Sequence, residues 1–147
     1  MRHEDRPSDR EETVRFIIVR PDGRIRQSGA IQRQYLETFA AVYPGCRAME
    51  VSADQYRLDI DAHFYVLDGV VTPKGTVLDV TDFTIRADGV DKVSFAVPAG
   101  TSVLHAGEIV AIEDDVFEFI TEVLGDHRFS FQAPAAFHHF EVTIHAV

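Results

Sequence analysis

The chain has 147 residues, 46% of them hydrophobic and 26% charged, with one cysteine and a formal net charge of −10 at pH 7. This composition excludes a largely disordered chain and a disulfide scaffold, and no apolar run approaches the roughly 18 residues of a membrane-spanning helix. Residues 1–47 carry 9 basic and 7 acidic groups whereas residues 48–147 carry 5 and 17, so nucleic acid is excluded as a partner: the acidic part repels phosphate and the basic residues form no stripe.

Residues 1–12 are nearly all polar, with mixed charge and Pro7, and read as a flexible arm that orders only against a partner. They hold no apolar segment of the kind a secretory signal needs, so the expected site of synthesis and residence is the cytoplasm. Residues 13–73 read as a small α+β unit. Val14 to Val19 begins a strand, Arg20-Pro21-Asp22-Gly23 is a turn, and Arg24 to Ser28 returns as the second strand of a hairpin. Ile31, Tyr35, Leu36, Phe39, Val42 and Tyr43 then recur at helical spacing until Pro44-Gly45 stops them. Cys46 to Val51 reads as a strand and Ser52 to Gln55 as a turn. Tyr56 to Leu67 reads as strand again, and Asp68-Gly69 turns it into a hairpin with Val70 to Thr72. Pro73-Lys74-Gly75 combines a ladder-breaking proline with a flexible glycine and marks the boundary between units.

Residues 74–147 read as a β-sandwich. Val90–Val97, Thr101–His105, Glu108–Ile112, Val116–Thr121, His127–Gln132 and Phe137–Val147 alternate apolar and polar residues, and turn residues separate them at nearly even spacing. Val93, Phe95, Val97, Phe117, Phe119, Phe129, Phe131, Phe140, Val142 and Ile144 then face inward. Lys92, Glu118, Arg128, Glu141 and Thr143 face outward. A sandwich this small buries a limited fraction of its chain and calls for support from the first unit or from a neighbouring subunit.

Candidate chemistry is sparse. Asp59, Asp61 and His63 alternate, so on a strand they would share one face and could offer two carboxylates and an imidazole to a metal; a solvated strand face is the preferred reading. His139 and His145 could share a face where His138 and His139 cannot, and a surface or edge role is preferred for them. Glu113-Asp114-Asp115 could join Asp88, Asp91 or Asp126 at calcium, but the spaced calcium-loop pattern is missing and an acidic hairpin tip is the simpler account. Cys46 reads as a small buried hydrophobe. A glycan site on the second unit would lack amphipathic platforms, because there is no Trp and the four tyrosines, Tyr35, Tyr43, Tyr56 and Tyr65, all lie in the first. Nucleophile-elbow, zinc-protease, Walker, dinucleotide-binding and paired-cysteine motifs do not occur. The expectation is therefore no catalytic, cofactor-binding or metal site, and no enzyme.

The order of a hairpin with Arg20-Pro21-Asp22-Gly23-Arg24-Ile25, a helix, a strand, and then the run from Phe64 through Asp68-Gly69 to Pro73-Lys74 resembles small virion-associated structural proteins of tailed bacteriophages. Ile85 to Asp91, Val97 to Thr101, Phe117 to Phe119 and Phe140 to Ala146 look like the immunoglobulin-like module that follows a Y-V-x-D-G-x-x-x-P link in those proteins. Two departures stand out: Gly125 to Phe129 replaces the commoner P-G-x-Y entry to the penultimate strand, and the charged arm is unusually long. The resemblance spans residues 14–147 and implies a mainly β chain with an immunoglobulin-like second unit and no catalytic residues. It further implies a place in the virion, tail- or fibre-associated, in a multi-copy assembly whose partners are other virion subunits. Head decoration and a module contacting glycans on the host surface are the alternatives, since one fold serves many roles.

Overall fold

The computed structural model describes residues 9–147. Of these, 47% are in strands and 9% in helices, so the chain is mainly β. It divides into two compact units, one ending at Lys74 and the other running from Gly75 to Val147. The first eight residues of the arm expected at the N-terminus lie outside the described residues.

The first unit is built on β1 (Thr13–Val19), which lies between β2 (Ile25–Gln32) and β3 (Arg47–Val51), antiparallel to both. As a central strand it presents apolar residues to both faces, which is why VRFIIV reads as a continuous run and not as an alternation. Ile17 and Val19 join Ile25, Val51, Ile60 and Val66 in one core. Phe16 and Ile18 join Leu36 and Ala40 in a second, with Phe39, Tyr43 and Cys46 packed against it. Cys46 is half-buried there. The second face is covered by a 3-10 turn, Arg33–Tyr35, running into α1 (Leu36–Ala40).

This helix is shorter than the apolar spacing predicts. Ile31 belongs to β2, whose ladder with β1 continues to the Thr13–Gln32 pair, while Tyr35 and Val42 are exposed. Arg33 supplies a local reason: its guanidinium bonds both Glu50 carboxylate oxygens on β3, at 2.7 and 2.9 Å, and the Asp9 carbonyl at 2.8 Å. The Arg33 and Gln34 amides donate to the Glu12 and Arg10 carbonyls. Residues 9–12 are thus tied to the unit by main-chain bonds, contrary to the expectation that they order only against a partner.

The stretch from Tyr56 to His63, expected to be extended, instead coils into α2 (Ile60–His63). Four residues with a single buried side chain, Ile60, leave no room for a helical period to show. β4 (Phe64–Leu67) and β5 (Val70–Pro73) follow as the expected hairpin, with Asp68 at φ 50° and Gly69 at φ 79°. Positive φ at both turn residues is what a two-residue turn matching the strand twist requires.

The second unit holds a five-stranded sheet in the order β6 (Asp82–Ile85), β12 (Phe140–Ala146), β11 (Gly125–Gln132), β8 (Ser102–His105), β9 (Glu108–Ala111). A two-stranded sheet of β7 (Val93–Ala96) and β10 (Val116–Phe119) packs on it. All pairs are antiparallel except β6 with β12. Between the sheets, Phe95 and Phe117 meet Phe131 with ring centroids 5.6 and 5.0 Å apart, and Phe119 meets Phe129 at 4.8 Å. The inward set read from alternation forms this core, joined by Ile85, Val103 and Ala146.

Candidate interaction surface

The five-stranded sheet ends on one side at β9, whose outer edge is unpaired. A two-residue turn at Ala106 and Gly107 sends β8 back as β9, pairing Val103 with Val110 and Leu104 with Ile109. Val103 is buried in the core, so Val110 shares its inner face and Ile109 lies beside Leu104 on the outer face. All four residues of β9 are nevertheless exposed, Ile109 to 62% and Val110 to 56%. The covering sheet explains this: β7 and β10 bury Phe129, Phe131, Val142 and Ile144 almost completely, and there is no third strand to reach Val110.

Main-chain directions follow from the ladder. The Ile112 amide donates to the Thr101 carbonyl at 3.0 Å, and bonding alternates along an antiparallel pair, so Val110 and Glu108 also face β8. Ile109 and Ala111 therefore turn their N–H and C=O groups to the open edge. Beside them lies a groove of ≈ 690 Å³ whose walls include Val103, Val110, Ile112 and Phe117. Its rim is acidic. Glu113 and Asp114 line it, as does Glu118, which pairs with Lys92 at 3.5 Å. Residues 75–147 as a whole carry 12 acidic and 3 basic groups.

The sequence-derived metal candidates separate. Asp59 caps the start of α2 and His63 ends it, one turn apart, with Asp59 Oδ2 3.2 Å from His63 Nε2, whereas Asp61 falls between them on another side. Two Arg57 hydrogen bonds at 2.9 and 3.0 Å engage Asp59 and hold its carboxyl below the usual range. The alternating strand face expected for the three does not exist. Among the described residues no group of three or more His, Cys, Asp or Glu is placed to hold a metal.

The loop acids serve the backbone. Asp88 Oδ1 accepts the Val90 and Asp91 amides, Asp91 accepts the Arg86 amide, and Asp114 accepts the Val116 amide. Asp126 is engaged elsewhere, 2.7 Å from His145 Nδ1. His139 precedes β12, so alternation along that strand does not relate it to His145. Ala133 and Ala135, in the connection from β11 to β12, are buried.

Two features escaped sequence reasoning. His145 bridges three neighbouring strands, reaching Asp126 on β11 and, at 3.3 Å, Asp82 on β6. Asp126 first and then Asp82 push its pKa up. His105 stacks on Phe129 with centroids 4.1 Å apart, and its Nδ1 lies 3.0 Å from the Arg128 carbonyl oxygen. Neither follows from local spacing, since the partners stand 19 to 63 residues apart and meet only across the assembled sheet.

No family model matches this chain, and neither a curated protein nor a solved structure matches it.

Proposed function

We propose that this chain is a non-enzymatic structural component of a tailed-bacteriophage virion, tail- or fibre-associated, that acts by protein–protein contact within a multi-copy assembly. In this reading the second unit is an immunoglobulin-like sandwich whose first layer is the five-stranded sheet and whose second is the β7–β10 pair. The observation that carries the reading is the open β9 edge, where β-branched apolar residues and unpaired main-chain groups stand in solvent. Soluble monomers ordinarily blunt such an edge with lysine, proline or a bulge. Support also comes from the resemblance of residues 14–147 to virion-associated proteins. The Tyr65 to Pro73 stretch that carries part of it forms the β4–β5 hairpin.

Mass spectrometry and antibody labelling of purified particles test this. The expected result is a fixed number of copies per particle, with label on the tail or its fibres. Label on the head would assign the chain to capsid decoration, and its absence from particles would overturn the proposal.

A further inference from the structure

We propose that the open edge of β9 docks an extended, cationic segment of another protein, which pairs with the Ile109 and Ala111 main chain and lays apolar side chains into the groove beside Val110. The inference rests on the assembly reading above and adds the chemistry of the partner. Adding a strand to a sheet edge satisfies the outward N–H and C=O groups while side-chain pockets supply selectivity. β9 meets both requirements: it has no proline, lysine or bulge between Glu108 and Ala111, and an apolar groove runs beside it.

Charge identifies the occupant. Glu108 lies at one end of the edge and Glu113, Asp114 and Asp115 at the other, and none of the four has an ion-pair partner among the described residues. A second copy pairing through its own β9 would bring the same carboxylates together, and like charges across a strand pair are destabilising. A strand with an apolar centre and lysine or arginine towards its ends relieves that repulsion and covers Val110 and Ile109.

The probe is a capped peptide, Lys-Lys-Val-Thr-Val-Lys-Lys, titrated into the full chain and followed by calorimetry and amide NMR. The amides of Ile109 and Ala111 are expected to shift and to gain protection from hydrogen exchange. The same peptide with glutamate in place of lysine should bind at least about tenfold more weakly, and raising salt from about 0.05 to 0.5 M should weaken the lysine peptide by a similar factor. Ala111→Pro removes an outward N–H without breaking the β8–β9 ladder and should abolish binding. Ile109→Lys, which alters only an exposed side chain, should reduce it independently, each variant being checked for an otherwise unchanged amide spectrum.

Absence of binding by the lysine peptide at about 1 mM, equal binding of the glutamate peptide, or shifts centred away from β9 would overturn the proposal. So would self-association of the protein alone, reversed by Ile109→Lys, because the occupant would then be a second copy. These results concern the edge alone: the composition of purified particles decides the virion assignment separately.

Discussion

The Gly23 carbonyl accepts the Val66 amide at 2.8 Å, and a Cβ on Gly23 would stand 2.5 Å from the Val66 carbonyl oxygen. The first hairpin turn and β4 thus approach backbone to backbone, with Gly23 at φ 94°. Gly23→Ala brings left-handed strain of about 1–2 kcal/mol together with the displacement of β4, for a total loss of about 2–4 kcal/mol. All four tyrosines lie in the first unit and the chain has no tryptophan. Urea unfolding followed by tyrosine fluorescence therefore reports this loss from that unit alone. A midpoint unchanged from the parent would show that the close approach is not required.

Phe131 is 1% exposed and its ring lies 4.6 Å from that of Phe140 and 5.0 Å from that of Phe117. Phe131→Ala should cost about 3–5 kcal/mol, against a total of roughly 4–11 kcal/mol for a unit of this length. Loss of amide dispersion from residues 75–147 is the expected reading. Retention of a native spectrum with a cost below about 1 kcal/mol would mean that the phenylalanine layer does not hold the two sheets together.

His145, held between Asp126 and Asp82, has its pKa raised in the folded state. The stabilisation is fully present below the unfolded value of about 6.5 and is lost as pH climbs through the raised folded value. Stability of the second unit should therefore fall from about pH 6.5 upward, and His145→Gln should flatten that fall. NMR titration of the imidazole checks the direction, and a midpoint at or below about 6.5 would contradict it.

Ala106 sits at φ 52° in the β8–β9 turn, in front of Gly107 at φ 81°. The equivalent turn between β4 and β5 has aspartate at that place, at φ 50°. Asparagine tolerates the left-handed region better than alanine, so Ala106→Asn should gain about 0.5–1 kcal/mol, and Ala106→Val should move stability the other way. Urea midpoints of the two variants read the difference. Equal midpoints would show that the turn relaxes around its first residue.

What the sequence discloses depends on how far apart the interacting residues stand. The Arg20 to Gly23 turn, the Asp68-Gly69 hairpin and the alternating phenylalanines of β10 and β11 are local patterns, and each is where the spacing predicts it. No local pattern marks β6, because a parallel partner distant in the chain leaves no turn beside it. Ile31 fits a helical period and a strand equally well until the β1 ladder claims it. At the interaction surface the acidic run Glu113 to Asp115 is legible, but it crosses from β9 to β10 in the other sheet instead of tipping a hairpin, and the exposure of Val110 leaves no local mark. Alternation gives the same pattern whether or not a second layer covers the strand, and only the width of that layer decides.

The parallel pairing of β6 with β12 also orders events during synthesis. Asp82 leaves the ribosome about 60 residues before Thr143, the residue it faces, and closing so long a stretch costs conformational entropy before any ladder bond returns it. Neighbouring hairpins such as β8–β9 close early, whereas β6 waits. In the interval β6 has no partner and the flank that β12 will cover stands open, and this is the stage at which a chaperone or an assembling neighbour finds the most to hold.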